Sequence, residues 1–276
     1  MEREDLKKVA DPISVSFWYT LCMYIGIDIG GTHTDVVASE SLEDIRFGSK
    51  KSIPTVKNFE NGMDQVQQII ETMTKTPIAI GVGVPGYVEK GEFSVSLSLP
   101  DWTNKSVGQI LKDKFNCPVY IHNDGVTGAL GEAYFGGEKN QDFFYITWGT
   151  GVGCAIIKWK ENIVNVFRPE NRQPVIDLSS RIGGYGIEEV YGKPASELTD
   201  NEWNDVLMEL KESLSRFADI YRYDLFVLGG GIVAKQKVRI QSGLESLEQP
   251  KVKISNLDGE SGLYGALVLI REKITA

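Results

Sequence analysis

The sequence predicts an α/β fold with two lobes, each built on a mixed β-sheet flanked by helices. The chain has 276 residues, enough for one large or two medium domains. Residues 24–37 form an apolar run broken by a Gly-Gly-Thr turn, and residues 143–159 repeat this pattern around a second Gly/Thr turn. Short apolar runs alternate with segments of helical period along the rest of the chain. The repeat indicates a duplicated fold.

Composition and charge exclude several classes of protein. Hydrophobic residues make up 42% of the chain and charged residues 24%, as is typical of a globular protein. The net charge of −9 argues against a nucleic-acid partner, because such a surface needs clustered Lys and Arg. Cys22, Cys117 and Cys154 lie far apart and lack the spacing of metal ligands. They predict neither a disulfide framework nor a zinc site, and we expect a cytoplasmic protein.

The first 22 residues are predicted to be an extension that precedes the lobes. Residues 2–8 are mostly charged, and the apolar stretch 13–23 is too short to span a bilayer. This stretch also lacks the basic opening and the cleavage site of a signal peptide, so no membrane partner is expected. Met23 directly precedes the first strand, which leaves two interpretations: a translation start at Met23, or a loosely held appendage.

The turn of the first hairpin has the composition of an anion site. Gly30 and Gly31 let the backbone approach a phosphate, and the hydroxyls of Thr32 and Thr34 can donate hydrogen bonds to it. Asp28 ends the apolar strand beside the turn and is placed to hold a hydrated magnesium ion. An ordinary hairpin with a glycine turn is the alternative, because short glycine motifs are not specific.

The periodicity of apolar residues and the positions of turn residues assign the remaining elements. Besides the hairpin at 24–37, strands are predicted at residues 45–53, 78–84, 118–122, 143–147, 154–159, 225–228 and 252–254. Helices are predicted at residues 56–73, 107–115, 125–135, 187–191, 199–221 and 261–270, and irregular structure at 91–102 and 160–186. The smaller N-terminal lobe is expected to contain residues 23–124 plus 261–276, and the larger C-terminal lobe residues 125–260.

Two helices carry rows of small residues, which predict close packing at the junction of the lobes. The first row follows Asn123 and Asp124, which lie at the tip of the strand 118–122. It consists of Gly128, Ala129, Gly131 and Ala133, and the second row of Gly262, Gly265 and Ala266. Helix 199–221 is expected to begin with Thr199 as N-cap and Glu202 at the capping-box position.

Glycine turns recur at two further strand ends. Gly149, Thr150 and Gly151 form the turn of the second hairpin and repeat the phosphate-binding composition of the first. Gly229, Gly230 and Gly231 follow the strand 225–228, where a flexible backbone allows close approach of a flat ligand such as adenine. A plain loop is the alternative for the three glycines.

Six short motifs follow one another along the chain and carry a family resemblance. They are Asp28-Ile29-Gly30-Gly31-Thr32, Gly83-Val84-Pro85-Gly86, Leu99-Pro100-Asp101-Trp102, Asn123-Asp124 with Ala129-Leu130-Gly131-Glu132, Gly149-Thr150-Gly151-Val152-Gly153, and Gly229-Gly230-Gly231. In this order they resemble the ROK sugar kinases of the actin-like ATPase group. The resemblance covers residues 24–270 and implies the two-lobed, ribonuclease H-like fold of that group, with a duplicated sheet.

The resemblance implies magnesium-dependent phosphoryl transfer from ATP to a small-molecule sugar. It assigns Asp124 as the general base, although an aspartate at this position could instead be a helix N-cap. It further implies that Asn123 and Gly86 contact the sugar and that Asp28 acts through magnesium. The three glycine turns then hold the nucleotide, with the two Gly/Thr turns closing on its phosphates from opposite lobes.

The sequence departs from the family pattern around the sugar. Ser98 stands where the family commonly has a sugar-binding Asn before Leu-Pro-x-Trp. The family segment Gly-Glu-Ile-Gly-His aligns with residues 169–173, so that Glu170 keeps the sugar-binding glutamate while Gln173 replaces the histidine. Glu189 aligns with a further family glutamate and is a candidate sugar ligand, with an exposed helix position as the alternative.

The zinc loop of the family has no counterpart in this chain. The loop aligns with residues 180–187, where both glycines remain but all three cysteines are replaced. Because the histidine is also absent, all four ligands of a tetrahedral site are missing, and we predict no structural zinc. Ile182 and Ile187 are expected to replace metal bonding by apolar packing.

The leading interpretation is an ATP-dependent hexokinase that phosphorylates a sugar hydroxyl, with the 6-OH of glucose as first choice. An N-acetylhexosamine, N-acetylmannosamine or N-acetylglucosamine, is the second choice. A non-catalytic sugar-responsive regulator is a rival, but about 22 additional residues without a basic helix pair cannot form a winged helix-turn-helix. A hydantoinase- or oxoprolinase-like protein is a further rival, but its resemblance to this chain stops after the first hairpin.

The ROK sugar kinases are often dimeric, so the resemblance makes a homodimer possible for this chain. The sequence does not distinguish ATP from polyphosphate as the phosphoryl donor.

Overall fold

The computed structural model describes residues 23–89, 92–137, 139–161 and 163–274. The extension at residues 1–22 lies outside this range. The twelve strands of the described chain are β1 (Tyr24–Ile29), β2 (His33–Ser39), β3 (Ser49–Pro54), β4 (Ala79–Val84), β5 (Tyr87–Glu89), β6 (Glu92–Val95), β7 (Val119–Asn123), β8 (Phe143–Trp148), β9 (Val152–Lys160), β10 (Ile163–Phe167), β11 (Leu225–Gly229) and β12 (Lys251–Ile254).

Nine α-helices alternate with these strands in the same ranges. They are α1 (Phe59–Met73), α2 (Val107–Phe115), α3 (Asp124–Phe135), α4 (Gln173–Ile182), α5 (Gly184–Tyr191), α6 (Asp200–Tyr221), α7 (Gly231–Lys235), α8 (Lys237–Leu244) and α9 (Ser261–Glu272). Helix α6 begins with the predicted capping box, in which the Thr199 hydroxyl accepts from the Glu202 amide and the Glu202 carboxylate accepts from the Thr199 amide. None of the helices in the described part of the chain is long and apolar enough to cross a membrane.

Two five-stranded sheets with the same topology confirm the predicted duplication. The first has the order β3-β2-β1-β4-β7 and the second the order β10-β9-β8-β11-β12. In each sheet the first three strands pair antiparallel, and the last three pair parallel. Parallel strands need a crossover, which the helices provide. The glycine turns therefore lie at equivalent places, between β1 and β2 and between β8 and β9.

Helices α3 and α9 pack between the sheets through the small residues that the sequence singled out. A Cβ on Gly131 would lie 2.1 Å from the carbonyl oxygen of Ser261, and one on Gly265 would lie 1.6 Å from that of Thr127. Only glycine permits this backbone approach. The predicted close packing is therefore confirmed, and the helix that carries Asp124 at its first position is held against α9.

Several boundaries differ from the sequence prediction. Residues 160–186, predicted to be irregular, contain β10, helix α4 and the start of α5, because Val175, Leu178 and Ile182 recur at helical spacing and are buried. Residues 91–102, predicted to be a loop, contain β6 and a short 3-10 turn at Pro100–Trp102. Helices α7 and α8 were not predicted, and β3 is confined to residues 49–54.

Candidate active site

The two Gly/Thr turns meet across a narrow cleft between the sheets. The hydroxyl oxygens of Thr32 and Thr150 lie 3.4 Å apart. A Cβ on Gly31 would lie 3.0 Å from the Cγ2 of Thr150 and equally close to the Cβ of Ser98. The two turns thus face each other across the cleft and lie in contact.

Thr34 does not fit the prediction that it donates to a phosphate. Its side chain is buried, and its hydroxyl lies 2.9 Å from that of Thr55. Thr55 donates to the carbonyl of Gly30 at 2.8 Å, and its amide donates to the carbonyl of Thr32 at 2.9 Å. Since β2 begins at His33, Thr34 points with Val36 to the core side of the sheet. Thr34 and Thr55 therefore stabilise the first turn from the core side of the sheet.

The second turn is braced by the junction of α4 and α5. The amides of Gly184 and Tyr185 donate to the carbonyls of Gly149 and Thr150 at 2.8 and 3.0 Å. A Cβ on Gly184 would lie 3.1 Å from the Gly149 carbonyl oxygen. The segment that aligns with the family's zinc loop therefore holds the second Gly/Thr turn in place, a contact that sequence reasoning missed.

The three glycines after β11 lie beside the second turn. A Cβ on Gly149 would have the amide nitrogen of Gly231 as its nearest neighbour, at 3.9 Å. Gly230 has φ +96°, and a Cβ there would lie 2.7 Å from the backbone nitrogen of Trp148. A Cβ on Gly229 would lie 2.5 Å from the hydroxyl of Tyr145. Gly231 faces open space, since a Cβ there would meet no heavy atom within 4 Å among the described residues.

Asp124 occupies the first turn of α3, at the end of β7. Its Oδ1 accepts from the Gly125 amide at 2.7 Å and from the Asn123 side-chain amide at 2.8 Å. Burial raises the pKa of Asp124 to about 6, while these two hydrogen bonds and the charge of Arg168 act in the opposite direction. A carboxylate with this pKa is mostly ionised at neutral pH and still basic enough to accept a proton.

Asn123, and not Asp124, is the N-cap of α3. Its Oδ1 accepts from the Gly125 amide at 3.0 Å. Its Nδ2 donates at 2.6 Å to the carbonyl of Gly86, as well as to Asp124. Both amide protons of this buried side chain are thus committed, so Asn123 orients the Asp124 carboxylate in this closed state. Gly86 has φ +134°, and a Cβ there would lie 2.2 Å from the Val95 carbonyl oxygen.

Asp28 lies near the end of β1, in the same sheet as β7, the strand that precedes Asp124. Burial and then the charge of Asp124 raise the pKa of Asp28 to about 7. No hydrogen bond or ion pair joins its carboxylate to another side chain of residues 23–274 that the structure describes. The glycines around it leave room, since a Cβ on Gly262 would lie 2.2 Å from Oδ2. Two interacting carboxylates fit magnesium, which takes one or two carboxylates together with phosphate oxygens and waters.

Lys57 is a cleft residue to which no sequence motif pointed, because it lies in the loop before α1. Its ammonium donates to the carbonyl of Gly31, to that of Ser98 at 3.1 Å and to the hydroxyl of Tyr185 at 3.3 Å. The hydroxyl of Ser98 lies 3.3 Å from that of Ser96. Lys57 therefore ties the first turn and Ser98 to α5 of the other half.

Glu170 and Glu189 do not contact Asn123 or Asp124. Both side chains are exposed, and in the described part of the chain no hydrogen bond or ion pair connects either to Asn123 or Asp124. Gln173 donates to Asp177 on the surface of α4. The exposed-helix interpretation of Glu189 agrees with this geometry.

Two arginines that the sequence did not single out lie over the ring of Tyr87, and the charge of one of them, Arg168, reaches Asp124. The guanidinium carbons of Arg168 and Arg172 lie 4.9 and 5.5 Å from the ring centre of Tyr87. Tyr87 directly follows Gly86, whose carbonyl accepts from Asn123. The charge of Arg168 also contributes to a lowered pKa of His122, about 4, for which burial is the larger cause. The loop before α4 thus places positive charge beside the sequence-predicted sugar residues.

The described residues contain no group of three or more His, Cys, Asp and Glu that could hold a metal ion. At the place of the family's zinc loop, Ile182 and Ile187 are buried in an apolar cluster with Trp148 and Leu178, as expected. The Trp148 indole donates to the carbonyl of Ile182 at 2.6 Å. Apolar packing stabilises this segment.

Comparison with known proteins links this arrangement to one family. The model of the ROK family matches residues 24–163, which is half of the chain. A xylose repressor from Caldicellulosiruptor bescii is 34% identical over 143 residues, and a glucokinase from Streptomyces coelicolor is 31% identical over 137 residues. Each match covers 48% of this chain, but only 36% of the repressor and 43% of the glucokinase. The match thus spans less than half the length of these relatives.

Solved structures agree over nearly the whole chain. An inorganic polyphosphate/ATP-glucomannokinase from Arthrobacter sp. superposes with a TM-score of 0.75 at 23% identity, covering 92% of this chain and 100% of that one. A ROK glucokinase from Streptomyces griseus, solved with glucose and AMPPNP, has a TM-score of 0.73 at 20% identity, with 91% and 99% covered. These likenesses confirm the predicted two-lobed actin-like ATPase fold.

Proposed function

Because the chain belongs to the ROK family, we propose that it is an ATP-dependent sugar kinase in which Asp124 is the general base. The observation that carries this proposal is the geometry of Asp124, whose carboxylate is fixed at a strand end by Asn123 and Gly125. Its raised pKa suits a group that accepts a proton near neutral pH.

In the proposed reaction, Asp124 accepts the proton of a sugar hydroxyl as that oxygen attacks the γ-phosphorus of ATP. The new O–P bond forms while the bond from the γ-phosphorus to the bridging oxygen breaks, and ADP leaves with that electron pair. Asn123 keeps Oδ1 of Asp124 engaged, which leaves the other carboxylate oxygen to face the sugar. Asp124 thereby both orients the hydroxyl and receives its proton.

The nucleotide is proposed to bind between the two Gly/Thr turns. Gly30, Gly31 and Thr32 face Gly149, Thr150 and Gly151, and the position of Gly231 beside Gly149 supports a nucleotide path from one turn to the other. Magnesium, when bound, neutralises charge that develops on the phosphates. Asp28 would hold it, and the ion would in turn relieve the repulsion between Asp28 and Asp124.

The substrate is proposed to be a hexose, with the 6-OH of glucose as first choice and an N-acetylhexosamine as second. The similarity to a glucokinase supports glucose, although the match covers less than half of that relative. Ser98, Asn123, Gly86, Glu170 and Glu189 remain candidate sugar contacts. The enzyme is further proposed to be cytoplasmic and to bind ATP and a small sugar. A homodimer is the oligomeric state to test.

A sugar-responsive regulator is the second candidate, because the chain is also 34% identical to a xylose repressor over 143 residues. Such a protein would bind sugar without transferring phosphate. The presence of Asp124 with a raised pKa favours catalysis over this alternative.

A coupled assay of ADP release over hexoses, N-acetylhexosamines, xylose and 5-oxoproline tests the proposal. With ATP and magnesium present, we expect at least one sugar to stimulate ADP release well above the rate without sugar. Replacing ATP by polyphosphate in the same assay identifies the donor by following sugar phosphate. If no sugar stimulates turnover while sugars still bind by calorimetry, the regulator is correct and the kinase proposal is wrong.

A further inference from the structure

The guanidinium groups of Arg168 and Arg172 converge on the ring of Tyr87, at 4.9 and 5.5 Å from its centre. Tyr87 belongs to the half built on the first sheet, and both arginines come from the half built on the second. Tyr87 is 40% exposed, so its environment remains accessible to a small molecule. The three side chains form what we call the arginine cluster.

The arginine cluster has no ion-pair partner among the described residues. None of the salt bridges or side-chain hydrogen bonds there involves the guanidinium of Arg168 or Arg172, and both groups contact the ring of Tyr87. The Nε of Arg168 is buried without a hydrogen-bond partner. Burial lowers the pKa of Arg168, and the neighbouring Arg172 lowers it further, since like charges repel. A buried donor and two adjacent cations leave a place that an anion would stabilise.

Arg172 adds to this positive field through its place in α4. It is the N-cap residue of that ten-residue helix, and the first turn of α4 has no acidic side chain. A cation at the positive end of a helix is unfavourable, whereas an anion there is favoured. The helix end and the two guanidinium groups therefore favour the same kind of ligand.

The arginine cluster lies beside the proposed sugar contacts Gly86 and Asn123. Tyr87 follows Gly86, which is bonded to Asn123, and Asn123 is bonded to Asp124. The Arg168 charge is close enough to Asp124 to lower the pKa of its carboxyl. Both arginines also flank Glu170, in the segment where the sequence departs from the family pattern.

We propose that Arg168 and Arg172 bind an anionic substituent of the sugar, a carboxylate or a phosphate ester, so that the hexose acted on by Asp124 is an acidic one. The inference rests on the proposed kinase function and narrows its substrate class. A planar guanidinium matches carboxylate and phosphate oxygens through paired N–H donors. The buried Nε of Arg168 gains its missing acceptor from such a group, and the charge of the anion offsets the repulsion within the pair.

A substrate panel with matched acids and neutral parents tests the inference. The full chain is assayed with ATP and magnesium on gluconate, N-acetylneuraminate and glucose 1-phosphate, each of which keeps a primary hydroxyl, beside glucose and N-acetylmannosamine. We expect an acidic sugar to have a kcat/KM at least about tenfold above that of the neutral sugars. Comparison of the carboxylates with glucose 1-phosphate distinguishes the two sources of negative charge.

Three variants of the arginine cluster locate the effect. Arg172→Gln should raise KM for the acidic sugar about tenfold or more, with little change in KM for a neutral sugar. Arg168→Gln should do the same, and Arg168→Lys should recover part of the loss by keeping the charge. Arg46→Gln removes the same charge at an exposed surface pair with Asp44 and is the matched control. It should leave all constants unchanged.

The outcomes separate this inference from the kinase proposal. If neutral sugars are phosphorylated as efficiently as acids, or if Arg172→Gln affects both classes equally, the arginine cluster does not select an anion and the inference is wrong. If no sugar is phosphorylated, the kinase proposal fails, and calorimetry with gluconate and glucose 1-phosphate then decides the inference alone. Binding that Arg172→Gln abolishes supports it, and absence of binding overturns it.

Discussion

The hydroxyl oxygens of Thr32 and Thr150 lie 3.4 Å apart, although 118 positions separate these residues in the chain. Each belongs to the turn of one of the two equivalent hairpins. Lys57 makes a second connection between the two halves beside these turns, through its hydrogen bonds to Gly31 and Tyr185. The two halves are therefore closed at the place where the phosphates are proposed to bind, and a nucleotide must separate the turns to enter.

A cross-link between the turns should prevent that entry. In the double variant Thr32→Cys/Thr150→Cys, oxidation joins the two turns, because the side-chain oxygens that the sulfurs replace are already near contact. We expect the oxidised form to lose ATP binding, measured by calorimetry, and to regain it after reduction.

The single variants are the controls, because each lacks the partner thiol and should bind ATP equally well with and without oxidant. The native Cys117 and Cys154 are buried and should not take part. Full ATP affinity in the cross-linked form would show that the nucleotide binds elsewhere.

Asp124→Asn should abolish turnover while leaving nucleotide binding nearly intact. The amide has almost the shape of the carboxylate and can keep the contact with the Gly125 amide, but it cannot accept a proton. We expect kcat to fall by at least about a hundredfold, in keeping with the usual effect of a general base. Rates close to those of the parent protein would mean that another group accepts the proton.

Activity should decline as the pH falls towards 6. The pKa of Asp124 is raised to about 6 and that of Asp28 to about 7, and each must be ionised for its proposed role. Because the two carboxyls interact, the acidic limb of the kcat/KM profile reports the pair. Higher magnesium concentrations should move this limb to lower pH, since the cation favours ionised Asp28. A limb that does not respond to magnesium would contradict the assignment of Asp28.

Asp28→Asn should stabilise the fold while inactivating the protein. The pKa of Asp28 is about 7 in the folded chain against an ordinary value of 3.8, so the folded state binds this proton more tightly than the unfolded state. The fold therefore loses stability progressively as the pH rises from the ordinary pKa of 3.8 through about 7. The amide stays neutral, and we expect a Tm at pH 8 higher by at least about 2–4 °C, the shift that 1 kcal/mol produces in a chain of this size.

The control for this variant is the same comparison without magnesium at a pH below 3.8, where Asp28 is largely protonated in both the folded and the unfolded state and the two proteins should differ little. Equal Tm values at both pH values would show that the carboxylate of Asp28 is not destabilised by burial.

Local sequence patterns predicted the strands, turns and helices that carry the candidate site residues. The contacts between distant parts of the chain could not be predicted in this way. The hairpins, the Thr199 capping box and the small faces of α3 and α9 each have a signal within a few residues of sequence. The burial of Thr34 also had a signal, because it shares the core face of β2 with Val36 by the two-residue period of a strand. The arginine cluster had none, because Arg168 and Tyr87 meet only once the two halves are packed together.

The α3–α9 contact offers a test of how the site is supported. A methyl group at Gly265 would lie 1.6 Å from the carbonyl oxygen of Thr127, which cannot move without displacing the helix that begins with Asp124. We expect Gly265→Ala to lower the free energy of unfolding by at least about 1–3 kcal/mol, as overpacking does. The matched control is Gly48→Ala, at an exposed position where the nearest heavy atom would be 3.6 Å away and the change should stay within about 0.5 kcal/mol. Denaturant unfolding of both variants measures the difference, and an unchanged midpoint for Gly265→Ala would show that the two helices are not packed this closely. At temperatures where the Gly265→Ala variant is fully folded, its lower stability does not reduce the amount of active protein. Because Asp124 moves with α3, we still expect the kcat of the variant to fall under these conditions.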